Sequence, residues 1–237
     1  MLRVAPIIEM IVASHVTALP SFHPESGPTF ARFPVHVFLI HHPDGPILVD
    51  TGIGFGNETI DDWYQPITVD LRNELHVRGV DPDHPALTII NTHLHFDHCG
   101  QNCHFPTARI VVQQTEAKIA TTPHYTVDSW ASLPAGRTML IDGDSEIADG
   151  IDAVHTPGHT PGHQAVVIRS TNDTTIIAGQ CIFWAAEWHE SEPSPANLHD
   201  ADHRLAAAES IARLRALHPT CVLLSHDEPV TIRPART

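Results

Sequence analysis

Apolar residues fall mostly into short runs separated by Gly, Pro, Asn and Asp, the punctuation of strands and turns. Arg3–Ile11 and Pro34–Ile40, rich in Val, Ile and Phe, predict two strands. The turn Pro43-Asp44-Gly45 leads into a short apolar strand, Pro46–Val49, that stops at Asp50-Thr51-Gly52. Gly52–Pro66, with Phe55, Trp63 and Tyr64, predicts a loop over a surface. Thr68–Arg78 carries Val69, Leu71, Leu75 and Val77 among polar residues and predicts a helix, ended by Gly79 and Pro82. Ala86–Ile90 and Arg109–Gln113 predict strands, the second followed by a helix from near Gln114.

The second half repeats the rhythm. Thr138–Ile141, Asp152–His155, Ala165–Arg169 and Thr174–Ala178 predict strands, the last two joined as a hairpin across Thr171-Asn172-Asp173. Glu187–Asp200 predicts a polar loop, Asp202–Leu217 an alanine-rich helix, and Cys221–Leu224 a final strand ending at Ser225-His226-Asp227. Strands lead and helices follow in each half. The expected architecture is therefore α+β: two sheets face to face with helices outside, in one domain over 1–237.

One strand runs directly into unusual chemistry. Ala86–Ile90 is followed by His93-x-His95-x-Asp97-His98, three imidazoles and a carboxylate within six residues. Such a cluster supplies ligands for Zn²⁺ or a similar ion. In a local turn, His93 and His95 can face one centre while Asp97 and His98 face another. Further on, Thr156-Pro157-Gly158-His159-Thr160-Pro161-Gly162-His163 is a rigid turn carrying two histidines.

Composition sharpens this picture. With 42% apolar and 17% charged residues the chain is globular, and its formal charge of −15 argues against nucleic-acid and anionic-membrane partners. The 20 histidines are heavy usage for 237 residues. Cys99, Cys103, Cys181 and Cys221 are too few for a disulfide framework. Neither a leader pattern nor an apolar run of membrane-spanning length is visible, so the expected setting is cytoplasmic with reduced thiols.

From about Phe38 to Asp227 the chain resembles the metallo-β-lactamase superfamily. The resemblance implies a four-layer αββα sandwich and one or two divalent ions, zinc first, with Fe, Mn or Co as alternatives. It implies a first metal site of His93, His95 and His163 and a second of Asp97, His98 and His226. Asp50 is implied as the partner that orients a ligand. His159 is either a supporting donor or a surface turn residue on this reading.

Two positions depart from the family pattern. Gln180 stands where an Asp usually bridges both metals, and an uncharged amide bridges two cations poorly. A hydroxide or substrate carboxylate taking over the bridge, one weak site, or Cys181 reaching in as a thiolate are the open outcomes. Strand alternation argues against Cys181. The expectation is fewer than two tightly bound metals. Phe183 stands where the N-acyl homoserine lactonase group, to which length and motifs are most similar, has a Tyr; Tyr64 or Tyr125 could replace its hydroxyl.

The implied function is metal-dependent hydrolysis of a small ester, most simply a lactone, with Asp97 as a catalytic carboxylate. The alternatives are a thioesterase or phosphoester hydrolase on the same site, or a degenerate member that binds metal without turnover. Phe55, Trp63, Tyr64, Trp184 and Trp188 are expected either to wall an apolar pocket or to pack in the core or a homodimer contact.

Overall fold

The computed structural model describes residues 6–18, 31–131, 133–190, 193 and 201–232. The start of the expected strand Arg3–Ile11 and most of the expected loop Glu187–Asp200 lie outside the described residues.

The first sheet opens with β1 (Ile7–Ala18) and β2 (Ala31–His42), paired antiparallel along their length. That continuous pairing carries β1 well past the predicted end at Ile11. β3 (Gly45–Val49) returns antiparallel to β2, and β4 (Ile67–Thr68) forms an edge on β1. β5 (Thr88–Ile90), β6 (Arg109–Gln113) and β7 (Thr138–Ile141) then add in parallel beyond β3. The second sheet contains β8 (Ser145–Ala148), β9 (Ile151–His155), β10 (Gln164–Arg169), β11 (Thr174–Ile177), β12 (Cys221–Leu223) and β13 (Val230–Thr231), adjacent strands pairing antiparallel except β11 with β12.

Side-chain alternation builds the layers. Phe38, Ile40, Ile47, Val49 and Ile90 meet Ile151, Ala153, Val166, Ile168 and Ile177 in the core between the sheets. The intervening residues Val37, Leu39, Leu48 and Ile89 face outward and are covered by Leu71 and Leu75 of α2 (Leu71–Val77). On the other side, Val154, Ala165 and Val167 are covered by Trp188, Ile211 and Leu214. Trp188 belongs to a short helix (Ala185–Glu190), and Ile211 and Leu214 to a long one (Ala201–Arg215). Helix, sheet, sheet, helix is the expected four-layer order.

Two short helices replace expected loop. α1 (Glu58–Tyr64) begins at Asn57, whose Oδ1 accepts the Ile60 N–H at 3.0 Å. At the start of the helix Ala185–Glu190, Glu187 accepts the Phe183 N–H and Asp227 accepts the Ala185 N–H, each at 2.8 Å. Among the described residues no helix is long and apolar enough to cross a membrane.

The strand directions gather the chemistry at one edge. β3 and β5 run parallel, so Asp50 and the segment after Ile90 emerge side by side. β9, β11 and β12 share one direction in the second sheet and deliver the His159 turn, Gln180 and His226. Cross-sheet hydrogen bonds fix this edge: Gln164 N–H to Thr92 O at 2.8 Å and His36 N–H to Ser225 O at 2.8 Å.

Candidate metal centre

Two clusters of ligand-type atoms form at this edge: His93, His95 and His159, and beside them Asp97, His98 and His226. Asp97 and His98 lie on α3 (Phe96–Cys99), a single turn that begins directly after His95. The turn explains the split: one helical step rotates Asp97 and His98 away from His93 and His95.

In the first cluster, His93 Nε2 lies 3.0 Å and His159 Nε2 2.9 Å from His95 Nδ1. Three ring nitrogens thus converge, and one shared proton cannot satisfy both contacts. A cation receiving all three lone pairs does. Burial, reinforced by the neighbouring imidazoles, holds His93 well below the ordinary histidine pKa, so it is a neutral donor.

In the second cluster, His98 Nε2 and His226 Nε2 lie 3.6 and 3.5 Å from Asp97 Oδ2. Both rings have their orientation fixed from behind. His98 Nδ1 donates to Asp50 Oδ2 at 2.8 Å, and His226 Nδ1 donates to Pro34 O at 3.0 Å. Each ring is thereby left with Nε2 facing the cluster. His226 Nε2 is fully buried with no hydrogen-bond partner, which a metal would supply. Burial drives the His226 pKa down to about 3. For His98 burial acts the same way, but Asp97 and Asp50 outweigh it and raise the pKa.

Asp50 itself sits at φ 64°, a left-handed conformation that Asp tolerates better than most side chains. It is held there by the Thr92 N–H at 2.7 Å and the Thr92 hydroxyl at 2.8 Å.

The structure does not bring His163, expected in the first site, into this cluster. The His163 Nδ1–H meets Thr156 O at 3.1 Å, and Nε2 accepts the Gln180 N–H at 3.0 Å. With its lone pair taken by a backbone donor, His163 supports the Gln180 loop instead of joining the cluster. His159 stands with His93 and His95. At Gly179, φ +57°, a Cβ would stand 2.7 Å from His163 Nε2, so this ring packs under the loop.

Gln180 is buried and faces the cleft with His95, Asp97 and His159. Its side-chain Oε1 and the Nε2 of His98 are both buried without a hydrogen-bond partner. Cys181 points the other way, into the outer core with Val154 and Trp188, and burial pushes its thiol pKa up, so it does not reach in as a thiolate.

A residue missed by sequence reading underlies the first cluster. Glu116, fully buried on α4 (Gln114–Ile119), accepts the Leu94 N–H at 2.8 Å, the Thr160 hydroxyl at 2.7 Å and the Tyr125 hydroxyl. It ties the His93–His95 strand end to the His159 turn, and the Tyr125 ring lies 4.7 Å from that of His95. Nothing local marked Glu116, because its partners come from three distant segments.

Above the clusters lies a cleft of about 1230 Å³, floored by His95, Asp97, His159 and Gln180 and walled by Phe33, Trp63, Tyr64, Phe96, Val127 and Phe183. Of the aromatic residues expected here, Trp63 and Tyr64 line it. Trp188 is core, Trp184 packs on Phe33 and Phe183, and Phe55 stacks on His104. Phe183 lies over the His226 ring at 4.6 Å. The chain has two tyrosines, and Tyr125 gives its hydroxyl to Glu116. Tyr64 is the other, its pKa raised by burial and then by the charge of Asp97.

The family model for the metallo-beta-lactamase superfamily matches residues 31–226. An N-acyl homoserine lactonase from Bacillus sp is 31% identical over 206 residues, covering 82% of this chain and 81% of that protein. The N-acyl homoserine lactonase AiiA of Bacillus thuringiensis subsp. kurstaki is 30% identical, covering 83% and 82%. Among solved structures, an N-acyl homoserine lactone hydrolase with the product N-hexanoyl-L-homoserine at its catalytic metal centre superposes with a TM-score of 0.79 at 27% identity, covering 96% of this chain and 94% of that one.

Proposed function

The chain belongs to the metallo-β-lactamase superfamily as a metal-dependent hydrolase, and from that premise we propose that it opens the ring of a small lactone of the N-acyl homoserine lactone class. The observation that carries the reading is the placement of two ligand clusters on the floor of an apolar cleft.

Five imidazoles and one carboxylate suit zinc. His93, His95 and His159 would hold one cation, and Asp97, His98 and His226 a second. Zinc held there would supply a water of lowered pKa and polarise an ester carbonyl. The chain's own residues do the rest. Asp50 and Pro34 O hold the rings of His98 and His226 in one orientation. Asp97 lines the cleft and would carry the proton released by the attacking water to the ring oxygen as its bond to the acyl carbon breaks. Phe33, Trp63, Phe96 and Phe183 offer an apolar wall to the acyl chain and limit water around it.

A substrate panel tests this. Zinc-loaded protein should hydrolyse an N-acyl homoserine lactone with a kcat/KM at least tenfold above that for an acyl thioester or a phosphodiester. A reversed order would assign one of those substrates instead.

A further inference from the structure

We propose that the metal centre is lopsided: it takes up one divalent cation firmly and resists a second, because Gln180 leaves it one carboxylate short. This rests on the metal reading of the two clusters.

The two ligand groups contain a single carboxylate, Asp97. Asp50 is buried behind them, and both of its oxygens are engaged by Thr92 and His98, so it acts on the centre only through the His98 ring. Two adjacent dications would therefore place four positive charges against one contacting carboxylate and five neutral imidazoles. Mutual repulsion in a buried site is weakly screened. The uncharged Gln180 amide lines the cleft with His95, Asp97 and His159, and offers a dipole there and no charge.

Gln180 is also held firmly in that place. Its N–H donates to His163 at 3.0 Å, and the preceding Gly179 is locked against Thr92 and His163. The neighbouring Cys181 is packed in the outer core, away from the cleft. A carboxylate or other anion from solution is the remaining way to neutralise a second ion.

The test is a calorimetric titration of chelator-treated protein with zinc alone, in a buffer free of carboxylates. The wild type should bind one strong equivalent and a second at least 100-fold more weakly. Q180E keeps the size of the side chain and adds the missing charge, and should tighten the second equivalent at least tenfold. Q180D serves the same purpose if Q180E does not fold. Two equivalents of similar affinity in the wild type would overturn the proposal. So would a weak second equivalent that neither folded variant tightens. Absence of any zinc binding is a different result, and would remove the metal reading itself.

Discussion

The Thr160 hydroxyl donates to Glu116 Oε2 at 2.7 Å, one residue beyond His159, while Glu116 Oε1 accepts the Leu94 N–H between His93 and His95. One buried carboxylate thus sets the spacing of the two segments that carry the first cluster. E116Q has the same shape but presents an NH₂ where donors converge, leaving at least one of them unpaired. It should cost about 1–3 kcal/mol of stability. Zinc affinity, read by competition with a chelating dye, should fall by roughly 10- to 100-fold. An unchanged affinity would show that the network supports the fold without shaping the centre.

His159 and His163 make opposite predictions. H159A removes a converging nitrogen and should weaken zinc binding at least tenfold with little change in the thermal midpoint of the metal-free protein. H163A leaves that cluster complete but strands the Gln180 N–H and opens a cavity, so the midpoint should fall while zinc still binds. Metal analysis and a melting curve on each variant separate the two roles.

Tyr64 tests the missing hydroxyl. With Phe183 unable to donate and Tyr125 committed to Glu116, Tyr64 is the tyrosine left to contact a substrate oxygen. Y64F should lower kcat on a lactone roughly 10-fold or more, within the range for losing one charge-directed donor. The Y64F/F183Y double variant should recover part of that loss. Full activity in Y64F would exclude the role.

Acid should weaken the metal-free protein. Burial lowers the pKa of His93, His163 and His226, the last to about 3, whereas in the unfolded chain each titrates near its ordinary value. The unfolded state then binds more protons, so stability is complete above about pH 6.5 and is lost as pH falls below it. At pH 5 the loss is up to roughly 2 kcal/mol per histidine, offset in part by His98, whose shift is upward. The urea midpoint of chelated protein should be lower at pH 5 than at pH 7.5. An equal or higher midpoint at pH 5 would contradict this.

The sequence carried the layered fold because strand alternation in segments such as Val37–Ile40 writes two faces directly into residue order. The His93–His98 segment was legible for a similar reason: its ligands are local, and one short turn assigns them to two clusters. What was not legible depended on contacts between distant segments. His159 and His163 follow identical Thr-Pro-Gly triplets, and only the approach of the Gln180 backbone decides which ring keeps its lone pair. Glu116 looks like an ordinary first-turn helix residue until Leu94, Tyr125 and Thr160 close around it. The short helices at Glu58–Tyr64 and Ala185–Glu190 begin at side-chain capping contacts, from Asn57 in the first and from Glu187 and the distant Asp227 in the second.

The most direct test of metal-dependent lactone hydrolysis is the initial rate of ring opening of an N-acyl homoserine lactone by three samples: zinc-loaded protein, chelated protein and chelated protein given zinc again. The rate should vanish on chelation and return with zinc, and H93A should show no return. Ring opening that persists in chelated protein, or in H93A, would contradict the account.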